Sequence, residues 1–200
     1  IDFSAAGVGF DPDPFQLGSR CRIIRSSPEL IAEEVRIVNE AKRILATSGS
    51  RSRDPAYLNA IEKRVAADRE LVYYRVLMGL PHNQALKDHL NCGLALRNSS
   101  ARTHGFDTLF IGLFDDLVRE SEKFICANEH RALVAIPSLA PAGSFDTALV
   151  FDSEFDAGRY VEFVRQLYNA SIPIATSQQV DGLEVLRVAR TQASQPRVVA

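Results

Sequence analysis

The chain of 200 residues contains no tryptophan, one methionine, three cysteines and only four lysines. Each scarcity excludes something. Cys21, Cys92 and Cys126 are odd in number, far apart and in no C-x-x-C pair, so neither a disulfide framework nor a zinc site is predicted. That usage fits a reducing, cytoplasmic compartment, and no metal or cofactor is called for. No apolar run approaches the roughly 18 residues of a membrane helix, so a soluble chain with no membrane association is expected. Lys plus Arg number 23 against 25 Asp plus Glu, a net charge of −2. This balance excludes a protein whose main task is to coat a polyanion and leaves room for a local basic pocket. The opening IDFSAAGVGF has no basic stretch before an apolar core. It reads as the start of a trimmed chain rather than a signal peptide, with a further domain expected beside it.

What is present is a regular alternation of helices and strands. Residues 1–20 mix Gly, Pro and Asp and read as an irregular arm, followed by strand-like CRIIR at 21–25. Ser27-Pro28-Glu29 signals a helix start, and the run RILATS predicts a strand over 43–48. Asp54-Pro55 repeats the start signal for a helix ending near 68. The run LVYYRVLM predicts a strand over 71–78, the spacing of Ala85, Leu86, Leu90 and Leu94 a helix over 82–96, and FDTLFIGL a strand over 106–113. A hairpin is expected from strands at 123–127 and 132–136 around Asn128-Glu129-His130, then a strand at 147–151 and a helix over 154–169. LEVLRVAR near the end reads as a last strand or edge element. The predicted fold class is α/β: a mixed, largely parallel sheet flanked by helices, with an N-terminal arm over 1–27, the domain proper over 28–170 and a partly mobile extension over 171–200.

In an open parallel sheet, ligands bind beyond the carboxyl ends of the strands, which singles out two loops. The first, Ser48-Gly49-Ser50-Arg51-Ser52-Arg53-Asp54, joins a glycine, hydroxyls and two guanidiniums to a helix N-terminus. That chemistry suits phosphate. The second carries His82 at a predicted helix start, with Lys87 further along. His82 can contact an anion or serve as a general acid or base. Arg75, inside a strand, must be paired, edge-exposed or directed at a bound anion. A plain structural reading stands beside each: Gly49 turning the chain, arginines in solvent, His82 as a surface cap, Arg75 in an internal pair. Walker A, G-x-G-x-x-G and G-x-S-x-G motifs are missing. A metal shared by His82 and His89 fails because seven helical residues separate them by about 10 Å. Asp152, Glu154 and Asp156 read as acids complementing the start of the last helix.

The segments RILATSGSRSRDPAYLNAIEKRV, LVYYRVLMGLPHNQALKDHL and LVFDSEFDAGRYVEFVRQLYNAS, in this order, resemble one half-repeat of the phospholipase D-like superfamily over about 28–170. Active members carry His-x-Lys followed four residues later by Asp, where His is the phosphoryl nucleophile and Lys holds the phosphate. Here His130 is followed by Ala132 at the lysine place and Pro137 at the aspartate place. The resemblance therefore implies a member without the catalytic motif, of the kind attached to bacterial regulators or defence proteins. The combined expectation is a non-catalytic domain that binds a phosphate-bearing small molecule, a nucleotide or a nucleic-acid end through Ser48, Gly49, Ser50, Arg51, Arg53, Arg75, His82 and Lys87. Two alternatives stand: a phosphoesterase or nucleotide hydrolase using His82, and a homodimerising module of a transcription regulator with a fused or neighbouring DNA-binding domain.

Overall fold

The computed structural model describes residues 21–50, 54–68, 70–78, 83–98, 109–114, 124–137 and 145–183. The chain begins with β1 (Cys21–Ile24), α1 (Ser27–Glu40), β2 (Ile44–Ser48), α2 (Pro55–Ala67), β3 (Val72–Met78) and α3 (Gln84–Asn98). It continues with β4 (Leu109–Phe114), β5 (Phe124–Asn128), β6 (Ala132–Pro137), β7 (Phe145–Phe151), α4 (Glu154–Asn169), β8 (Ile172–Ile174) and α5 (Ser177–Asp181).

Local chemistry explains the helix starts. Asp54 caps α2 by accepting from the amides of Ala56 at 2.9 Å and Tyr57 at 3.2 Å, and Pro55 costs nothing where the N–H has no intrahelical partner. Asn83 accepts from the Leu86 amide at 2.8 Å, so α3 begins at Gln84, two residues after the predicted start. Ser153 caps α4, and α5 opens on a capping box between Thr176 and Gln179.

One mixed sheet runs β1-β7-β6-β5-β2-β3-β4-β8. The expectation of a largely parallel sheet is corrected. Only β2–β3 and β3–β4 pair in parallel, and the other five neighbours are antiparallel. The physical reason is connection length. Helices α2 and α3 supply the crossovers that parallel neighbours need, whereas three residues join β5 to β6 and seven join β6 to β7. β1 lies within the residues expected to form an arm and pairs with β7, while β8, within the expected C-terminal extension, pairs with β4. Residues 184–200, which hold most of LEVLRVAR, lie outside the described residues.

Alternation along β3 divides the core. Tyr73 and Leu77 pack with Ile37, Tyr57, Leu58 and Leu90 on the side of α1, α2 and α3. Val76, with Tyr74 and Met78, packs against Ala157 and Val164 of α4 on the other side. No helix among the described residues is long and apolar enough to cross a membrane.

Candidate functional site

β2 and β3 are parallel neighbours, with Ser48 opposite Val76, so their carboxyl ends share one edge of the sheet. There Gly49 adopts φ +113° and donates its N–H to the Val76 carbonyl at 2.9 Å. A Cβ on Gly49 would meet Cδ2 of Phe124 at 3.0 Å, so both conformation and space call for glycine. The Gly49 carbonyl accepts from Nη2 of Arg75 at 2.9 Å, and Nη1 reaches Oγ1 of Thr47 at 3.4 Å. Ser48 accepts from the Ile125 amide at 3.2 Å.

Ser48, Ser50 and Arg75 are wholly buried. The structure brings Ser48, Gly49, Ser50 and Arg75 together, as a clasp beneath the rim rather than as an exposed ligand shell. Arg75 is not at the surface, so any effect it has on a ligand passes through the loop it holds. Lys87 sits half-buried in the first turn of α3. Arg51, Arg53 and His82 lie outside the described residues. One expectation changes: Asp54 and Asn83 already use first-turn amides of α2 and α3, so the helix N-termini are less open to an anion than their positions alone suggest.

The electrostatics around Arg75 are those of a buried polar knot. Burial, with the charge of Asp54 adding to it and Arg75 opposing it, pushes the Glu34 carboxyl up to about 8. Burial also raises the Tyr57 phenol and the Cys126 thiol. For Arg75 burial works against the charge, but the neighbouring phenols of Tyr73 and Tyr57 outweigh it and the pKa is raised. The guanidinium is therefore a fixed positive charge inside the core.

A second constellation lies at the turn between β5 and β6. His130 is exposed and its Nδ1 pairs with Oε1 of Glu154 at 2.9 Å. Arg131 binds the carboxylate of Asp152, Glu40 at 2.5 Å and Glu33 at 3.5 Å, and Arg22 reaches Glu33 at 2.7 Å. Asn128, wholly buried, shapes the turn: its side chain donates to the Ile37 carbonyl and accepts from the amides of His130 and Arg131, each at 2.8 Å. Ala132, where the resemblance places a lysine, is a buried methyl packed with Ala127, Ala157 and Val164.

Sequence reasoning missed an open groove of about 1130 Å³ along α4, whose lining includes Ile125, Val134, Ile136, Phe155, Arg159 and Phe163. Its signal was available: Phe155 and Phe163 fall on the side of α4 away from buried Ala157 and Val164.

No family model and no curated protein matches the chain. Solved structures do. Nuc, a phospholipase D family member from Salmonella typhimurium, is similar with a TM-score of 0.56 at 12% identity over 79% of this chain and 99% of that one. NucT from Helicobacter pylori gives 0.51 at 10% identity over 78% and 99%. TrmBL2, an archaeal chromatin protein whose structure shows a novel mode of DNA binding, gives 0.53 at 13% identity over 78% of this chain and 54% of that one. At such identities the likeness concerns the path of the backbone, and on it the chain has a phospholipase D-like fold.

Proposed function

We propose that this is a non-catalytic interaction domain of a larger bacterial regulatory or defence protein, and that it binds a phosphate-bearing ligand at the rim beyond β2 and β3. The ligand is a nucleotide or a nucleic-acid end. The observation that carries this reading is the clasp of Arg75 on the carbonyl of Gly49. It holds the end of β2, which Arg51, Ser52 and Arg53 follow in sequence, and guanidiniums are the side chains best suited to phosphate oxygens. The backbone likeness to a chromatin protein whose structure shows DNA binding supports it. The non-catalytic part rests on Ala132 and Pro137 standing where the resemblance calls for Lys and Asp, and on the pairing of His130 with Glu154.

Calorimetric titration with a panel of nucleotides and a 5′-phosphorylated oligonucleotide tests it. Replacing Arg51 and Arg53 by Ala is expected to weaken binding at least about 10-fold, each lost charged hydrogen bond being worth roughly 1.5–3 kcal/mol. Unchanged affinity for every member of the panel rejects the reading. Turnover of such a ligand, lowered roughly 100-fold in His82→Ala, would support the hydrolase alternative instead. A second reading, an assembly module of a transcription regulator, is favoured by the open apolar groove along α4.

A further inference from the structure

On α4, Ala157 and Val164 are buried against the sheet. The opposite, outward line of the helix is Phe155, Arg159, Glu162 and Gln166, spaced by four, three and four residues, the spacing of a seam between two packed helices. Phe155 is 66% exposed and its ring carries the guanidinium of Arg159, 5.8 Å from the centroid. Beside the seam stands Gly158, where a Cβ would meet nothing within 4 Å. A glycine inside a helix is destabilising relative to alanine, and no contact among the described residues requires one here. Its open space leaves the helix backbone accessible to a close neighbour.

The order of the seam is palindromic. Under a two-fold axis crossing α4 between Tyr160 and Val161, an antiparallel second copy sets Arg159 of each chain opposite Glu162 of the other. The same axis sets each Phe155 against the aliphatic stem of the second copy's Gln166. Charge thus complements itself across the axis, as an isologous contact requires. Ile136, 41% exposed, extends the apolar surface beside the helix, along the groove.

We propose that the α4 seam Phe155, Arg159, Glu162 and Gln166 is a homodimer interface, in which α4 packs antiparallel on α4 of a second copy. This names the partner for the assembly reading above and rests on it.

Sedimentation equilibrium of the chain from about 1 to 500 μM is the test, with circular dichroism confirming the fold of each variant. The wild type is expected to dimerise. Phe155→Glu, Arg159→Glu and Glu162→Arg are each expected to raise the dissociation constant at least about 10-fold. The double variant Arg159→Glu with Glu162→Arg restores opposite charges across the axis and is expected to recover most of that loss. A dimer whose dissociation constant ignores all three single variants overturns the seam while leaving assembly standing. A monomer at every concentration overturns both, and a monomer that binds a Lys/Arg-rich amphipathic helical peptide along the groove assigns the surface to a different partner.

Discussion

Arg75, wholly buried in β3, donates to the carbonyl oxygen of Gly49 at 2.9 Å and so ties the middle of one parallel strand to the exit of its neighbour. An arginine inside a hydrophobic core is costly unless its donors are used, and here Nη2 donates to the backbone just where the chain leaves the sheet while Nη1 reaches the Thr47 hydroxyl. The arrangement couples the stability of the core to the geometry of the loop above it.

Arg75→Met is therefore expected to lose about 1–3 kcal/mol of unfolding free energy, the cost of leaving the buried Gly49 carbonyl and Thr47 hydroxyl without this donor. Urea denaturation at pH 7 measures it. A loss under about 1 kcal/mol would show that the clasp contributes little.

Gly49→Ala places a Cβ 3.0 Å from Phe124 Cδ2 on a backbone at φ +113°. The strain is expected to cost about 1–3 kcal/mol and to weaken ligand binding at the rim. Thermal unfolding and the titration described above check the two effects separately.

Glu34 gives the fold a pH dependence. Its folded pKa, about 8, lies above the ordinary carboxyl value of 4.5 through burial and the charge of Asp54, against the lowering effect of Arg75. The folded state therefore keeps a proton that the unfolded state has released. Stability is fully present below about pH 4.5 as far as this group is concerned, and it falls as pH rises toward 8 by up to about 1.4 kcal/mol per pH unit. Glu34→Gln, which cannot ionise, is expected to flatten the curve between pH 5 and 8. Urea midpoints across that range that decline equally in both proteins would contradict this.

Asn128 makes three hydrogen bonds from a wholly buried side chain. Asn128→Ala leaves the Ile37 carbonyl and two turn amides without this partner. The expected loss is about 2–3 kcal/mol, measured as a shift in the urea midpoint.

Much of this was legible because it is local. The Asp54-Pro55 cap needs only the residues beside it, and the two faces of β3 follow from a period of two. Other features depend on partners distant in the chain. β1 pairs with β7 across some 125 residues, and Cys21 to Ile24 carry no mark of that register. Asp152 and Glu154 read as acids at a helix start. In the structure Glu154 and Asp156 do stand in the first turn of α4 and Ser153 is the cap, while the sequence did not show that Asp152 binds Arg131 and Glu154 also binds His130. Arg75 left three readings open in the sequence. The structure shows it wholly buried and bonded to the carbonyl of Gly49, a partner 26 residues away that the strand's own residues do not announce.

The central claim, a phosphate site where β2 and β3 end side by side, is tested most directly by following amide resonances while inorganic phosphate and then a 5′-phosphorylated dinucleotide are added. The account predicts that Gly49 through Asp54 and Asn83 through Lys87 shift together along one saturable curve, and that Arg51→Ala with Arg53→Ala abolishes the shifts. Saturable shifts confined to α4 and β6, or none at either loop, would contradict it.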